Sequence, residues 1–194
     1  GAQGGKAAAK VLFGEISPSG KLPVTFYESL DELPEFTDYR MAGRTYRYMK
    51  QDALYPFGYG LSYTSYSYSG LKVQESSVTD EGVNLAVTVK NTGKRTGTET
   101  VQVYIKIEKE DTPNAQLKAI RKVTLRPGEE KEVSIHLAKD AFGLCDKEGN
   151  FRTCKGEAKV YVGGQAPDRR SEELTGVKVQ SVTLRTEDEL LWEN

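Results

Sequence analysis

Along residues 63–185 apolar and polar positions alternate with a period of two, broken at regular intervals by turn-forming residues. Val83, Leu85, Val87 and Val89 alternate with polar residues up to Asn91-Thr92-Gly93. Val101, Val103, Ile105 and Ile107 follow, up to Thr112-Pro113-Asn114. Ile120, Val123 and Leu125 run to Arg126-Pro127-Gly128, and Val133, Ile135 and Leu137 come next. Later strands centre on Phe151, on Lys159 to Val162 and on Val177 to Leu184. Successive side chains of a strand point to opposite faces, so each strand turns one face to a core and the other to water. Short strands at this spacing predict an antiparallel β-sandwich of immunoglobulin-like build.

The first 62 residues have a different character. Residues 4–13 (GGKAAAKVLF) read as a helix: alanines and lysines propagate it, and Gly14 stops it. Residues 22–26 (LPVTF) read as a short strand, and Pro23, which lacks an N–H, confines it to an edge or to pairing on one side. A helix and one strand cannot bury a core by themselves, so residues 1–26 read as the terminal αβ unit of an incomplete α/β domain. Opening on Gly1 rather than Met fits a missing start. Residues 27–62 have little periodicity, yet nine of the eleven tyrosines lie between Tyr27 and Tyr68. Disordered linkers are poor in large rings, so this stretch is expected to pack as a connector along a domain boundary. Residues 186–194 are acidic and compatible with a helix, and read as a tail or linker.

Composition removes several functions. Lys+Arg (27) and Asp+Glu (28) nearly cancel, which leaves no net field to draw in nucleic acid. The apolar runs are too short for a transmembrane helix. The single histidine, His136, falls on the outward face of its strand, so a zinc site or a Ser/His triad is hard to build and no metal is expected. No phosphate-binding glycine loop is present, and no cofactor is implied. Cys145 and Cys154 flank a turn. A hairpin closing on Gly149-Asn150 would bring them face to face, whereas a type I turn on Asp146 to Gly149 would leave them out of register as free, buried thiols.

One cluster stands out: Arg44, Tyr46, Arg47 and Tyr48, with Tyr55, Phe57 and Tyr59. In an extended chain Arg44, Tyr46 and Tyr48 would share a face, with Arg47 opposite. Arginine stacks on rings and forks onto carboxylates, and acidic residues lie just upstream. The cluster suits a clamp between domains, or a rim on which rings stack against a sugar and guanidinium groups meet its hydroxyls.

Residues 1–26 (GAQGGKAAAKVLFGEISPSGKLPVTF), 38–49 (DYRMAGRTYRYM) and 54–69 (LYPFGYGLSYTSYSYS) closely resemble the C-terminal part of family 3 glycoside hydrolases of the β-glucosidase type. The match continues through VTVKNTGKRTGTETVQVYI, LRPGEEKEVSIHL and VYVGG, which resemble that family's fibronectin type III-like domain. The resemblance implies a retaining exo-enzyme that removes terminal β-linked glucose from oligosaccharides or glucosides with two carboxylates. In the family the nucleophilic aspartate lies on a barrel domain, and the acid/base glutamate lies earlier in the α/β domain. Neither motif occurs here, and Asp168-Arg169-Arg170 does not match one, so no catalytic residue is expected in this chain. Some relatives are permuted, with the barrel after the sandwich, and residues beyond Gly176 would suit either a linker to it or merely the last strand and a tail. The implied partners are the catalytic domains and, through the whole enzyme, a β-glucoside. The competing expectations are the tail of a β-xylosidase, and a free-standing carbohydrate-binding or adhesion module.

Overall fold

A computed structural model describes residues 2–192 of the protein. The chain opens with helix α1 (Gly4–Leu12), which has no buried residue. Gly14, at φ 74°, takes the left-handed conformation, and its N–H bonds the Val11 carbonyl to close the helix. A 3₁₀ turn (Leu30–Glu32) and a single helical turn, α2 (Thr45–Tyr48), follow. Strands β1 (Tyr66–Val73), β2 (Val83–Asn91), β3 (Gly97–Ile107), β4 (Gln116–Leu125) and β5 (Glu130–Leu137) come next. Then come β6 (Leu144–Cys145), β7 (Phe151–Thr153), β8 (Gly156–Gly163), helix α3 (Arg169–Thr175), β9 (Gln180–Thr186) and β10 (Glu189–Trp192).

The expected sandwich forms. A three-stranded sheet ordered β1-β2-β5 packs on a four-stranded sheet ordered β4-β3-β8-β9, and all the pairings are antiparallel. The register follows from the alternation: Val83, Leu85 and Val87 lie opposite Leu137, Ile135 and Val133, while Val103, Ile105 and Ile107 lie opposite Val162, Val160 and Ala158. These side chains, with Phe142 and Leu184, make one continuous core. Leaving them in water would forgo about 25 cal/mol per Å² of apolar area.

Several local expectations need correction. Residues 22–26 form no strand. Phe26 makes one isolated bridge to Tyr55, and Leu22 exchanges bonds with Tyr59 and Gly58. Pairing on one side fits the missing N–H of Pro23, and the partner is the connector. Ile120 turns outward (46% exposed), while Val123 and Leu125 turn inward. The sheet is not wetted on its whole outer face, because Thr100 of β3 is buried there against Ser19, and Gln102 and Tyr104 against the connector.

The described part of the presumed tail is a strand, not a helix. β10 pairs with β7, which pairs with β6, and Trp192 stacks on Phe151 at 5.5 Å. Positions 193 and 194 lie outside the described residues. Helix α3 was not anticipated. Asp168 caps it by accepting from the Ser171 amide and hydroxyl (2.8 and 2.7 Å), and Gly176 at φ 68° ends it. The two cysteines are free thiols. Asp146 and Gly149 close the turn, Cys145 lies opposite Phe151, and Cys154 falls three positions out of register. Contrary to expectation, neither thiol is buried: Cys145 is exposed and Cys154 half-buried.

Candidate interface and substrate rim

Residues Arg44 to Tyr48 do not run extended, so they do not alternate across two faces. The amides of Thr45 and Tyr46, unpaired in a first helical turn, are taken by the Tyr27 hydroxyl and the Thr25 hydroxyl (both 3.0 Å), which favours the turn. Asn114, from the β3–β4 loop, closes the other end by donating to the Tyr46 and Met49 carbonyls (3.0 and 2.8 Å).

The turn carries Tyr46 onto Phe57, ring on ring at 4.0 Å and 8°. Both rings meet the edge of Tyr104 at 6.4 and 6.5 Å. Such pairs add about 0.5–1.5 kcal/mol beyond the area they bury. Tyr104 is fully buried and donates to Gln102 Oε1 (2.6 Å), while Gln102 Nε2 donates to the Gly58 and Gly164 carbonyls (3.0 and 2.8 Å). Burial holds the Tyr104 phenol far above its ordinary pKa. Gly58 sits at φ 80°, and a Cβ there would collide with the Tyr104 hydroxyl and with Gln102 Oε1. Tyr46 and Phe57 thus lock the connector to β3.

The other predicted residues separate from this lock. Tyr55, 43% exposed, stacks on Tyr59 at 5.8 Å and meets the edge of Phe26. Arg47 lies over the Tyr48 ring at 5.8 Å and donates to Gln116 Oε1 (2.7 Å). Arg44 donates to the backbone carbonyls of Arg40 and Asp38. The expected pairing of Arg44 and Arg47 with the acidic stretch does not occur. Arg40 takes that role, gripping both Asp38 oxygens (3.0 and 2.8 Å) and holding that carboxyl well below the usual range.

A second tie was missed from sequence. Lys21 meets Glu99 of β3 at 3.3 Å, and Glu99 accepts from the Tyr68 hydroxyl of β1 at 3.0 Å. Glu99 is 5% exposed, and burial raises its pKa against the opposing pull of Lys21 and Tyr68. Burial and the Glu99 charge push the Tyr66 phenol up to about 12. The available signal was Glu99 itself, an acid inside a strand otherwise rich in valine and isoleucine.

Elsewhere the candidate chemistry is structural. His136 is exposed and bonds Asn84. Asp168 serves its helix cap. Among the described residues no cluster of His, Cys, Asp or Glu is arranged to hold a metal, and no helix is long and apolar enough to cross a membrane. The exposed large apolar side chains collect at one end of the chain. Among the described residues all but Ile120, Leu190 and Trp192 precede Thr64, and Leu12, Phe13, Leu30, Phe36 and Tyr39 are each about four-fifths exposed or more (79–92%).

A β-sandwich of fibronectin type III kind, bolted to an N-terminal segment rich in exposed apolar side chains, defines the class. Residues 1–63 match the glycosyl hydrolase family 3 C-terminal domain, and residues 99–166 match a fibronectin type III-like domain. The chain belongs to glycosyl hydrolase family 3, as the C-terminal part of its architecture. It is 40% identical over 178 residues to a xylan 1,4-beta-xylosidase of Xylanibacter ruminicola, a match covering 90% of this chain and 20% of that protein. It is 36% identical to a periplasmic beta-glucosidase of Salmonella typhimurium, covering 84% of this chain and 23% of the relative. The structure of beta-glucosidase 3B from Thermotoga neapolitana, in complex with α-D-glucose, superimposes with a TM-score of 0.82 at 32% identity, covering 98% of this chain and 28% of that one. The chain thus spans about a quarter of the length of these relatives.

Proposed function

We propose that this chain serves as the non-catalytic C-terminal portion of a retaining exo-β-glycosidase, β-glucosidase-like in its substrate, and that it buttresses the catalytic domains. Residues 1–26 then close the α/β domain, 27–62 connect it to the sandwich of 63–185, and β10 folds back onto β7. The observation that carries this reading is the concentration of exposed large apolar side chains in residues 1–63. A concentration of exposed large apolar side chains marks an interaction site, and here it lies on the segment that matches the family's C-terminal domain. The connector supplies the rigid joint. Tyr46, Tyr48, Phe57 and Tyr59 are half-buried within it, whereas Arg47 and Tyr55 are exposed; Arg47, Tyr48 and Tyr55 could rim a substrate, with Arg44 fixing the loop beside them. The β-xylosidase among the relatives favours a second reading, in which the sugar is xylose.

Hydrolysis assays separate these readings. The 194-residue chain alone is expected to turn over neither aryl β-glucoside nor aryl β-xyloside, while the full polypeptide prefers the glucoside. Turnover by the chain alone would refute the non-catalytic role. Preference of the full polypeptide for the xyloside would move the assignment to the second sugar.

A further inference from the structure

A cleft of about 770 Å³ opens on the sandwich, and no residue of α1 lines it. The α2 turn (Arg47, Tyr48), the β3–β4 loop with the start of β4 (Lys118), and the β6–β7 hairpin (Cys145, Phe151) line it. Lys118 is half-buried, and among the described residues it has no hydrogen-bond or ion-pair partner. Burying an ammonium without a counter-charge is costly. Burial and the neighbouring Arg47 lower its pKa, while Asp140 and Cys145 pull the other way too weakly to restore it. Arg47 spends one N–H on Gln116, which leaves the rest of its fork for another acceptor. Two neighbouring cations in one cleft, Lys118 among them without a partner, ask for an anion.

The remaining walls narrow the anion's kind. Tyr48 and Phe151 offer ring surface to the apolar face of a pyranose. Glu110, Asp111 and Glu148 line the cleft as well and can accept from hydroxyls, interspersed with Lys109, Lys147, Arg152 and Lys155. We propose that this cleft binds a sugar bearing one carboxylate, a uronic acid unit, with the carboxylate on Lys118 and Arg47 and the ring against Tyr48.

The test uses the full polypeptide with its lysines reductively methylated with carbon-13, a change that keeps their charge. Loss of a signal in K118R assigns the Lys118 resonance, which then reports on this cleft alone. Titration with methyl β-D-glucuronide is expected to shift that resonance to saturation. Methyl β-D-glucoside, which differs only at C6, and sodium acetate should each bind roughly tenfold more weakly or worse, as expected for loss of one charge-assisted contact or of the ring contacts. R47Q should weaken the glucuronide by a similar factor. No shift with the glucuronide, or an equal affinity for the neutral glucoside, would overturn the proposal. An equal affinity for acetate would overturn it too, since the cleft would then read charge and not a sugar.

Discussion

Replacing Lys21 by methionine tests the tie between the N-terminal unit and the sandwich. At 3.3 Å the Lys21–Glu99 attraction is about 5 kcal/mol at an effective dielectric constant of 20. Desolvation of the pair offsets much of that, so the pair's net worth is small. Breaking it from one side is different: Glu99, 5% exposed, keeps its charge and loses its counter-ion. Breaking a buried pair in this way costs about 3–5 kcal/mol. Glu99→Gln removes the charge instead and leaves Lys21 free to turn to water, for about 1–2 kcal/mol. The double variant should therefore be more stable than Lys21→Met alone. The pH dependence follows from the raised pKa of Glu99. A carboxyl whose folded pKa lies above the unfolded value binds its proton more tightly when folded. Its contribution is then full below the ordinary 4.5 and is lost as pH rises through the folded pKa. In Lys21→Met that loss grows, so the deficit against wild type is largest at pH 7 and shrinks towards pH 4. Urea unfolding followed by circular dichroism, at intervals between these pH values, measures it. A deficit below about 1 kcal/mol at pH 7, or one that does not shrink on acidification, would refute a buried, charge-dependent tie.

Other predictions follow from the same geometry. Gly58→Ala forces a side chain into the left-handed region and against Tyr104 and Gln102, and should cost at least about 2 kcal/mol in thermal unfolding. Phe57→Ala opens the ring stack and should cost about 3 kcal/mol, whereas Tyr55→Ala, on an exposed ring, should cost less than about 1 kcal/mol. Titration with an aromatic disulfide reagent should find two thiols in the native protein, Cys145 reacting faster than Cys154, and mild air oxidation should not join them.

The sandwich was legible because Val83 to Val89 and Val101 to Ile107 alternate without interruption, and a register slip would move a whole valine set into water. The connector was legible only as a clustering of aromatics. Its single helical turn depends on Thr25, Tyr27 and Asn114, three partners 18 to 68 residues away in sequence, and no local pattern encodes such contacts. The same holds for the outer face of β3. Gln102 and Tyr104 read as ordinary solvent-side residues until the carbonyl of Gly58 is placed over them. Arg44 and Arg47 were expected on carboxylates because guanidinium groups favour them. Arg40, only two residues from Asp38, reaches that carboxylate first. β10 hid within a charged stretch because a short satellite strand needs only Leu190 and Trp192 to pair with Arg152 and Phe151.

Hydrogen–deuterium exchange on the chain alone and within the full polypeptide tests most directly whether residues 1–63 form a docking body. Slowed exchange confined to α1 and residues 28–41, with the sandwich strands unchanged, is the predicted result. Equal exchange of these segments in both forms would contradict it.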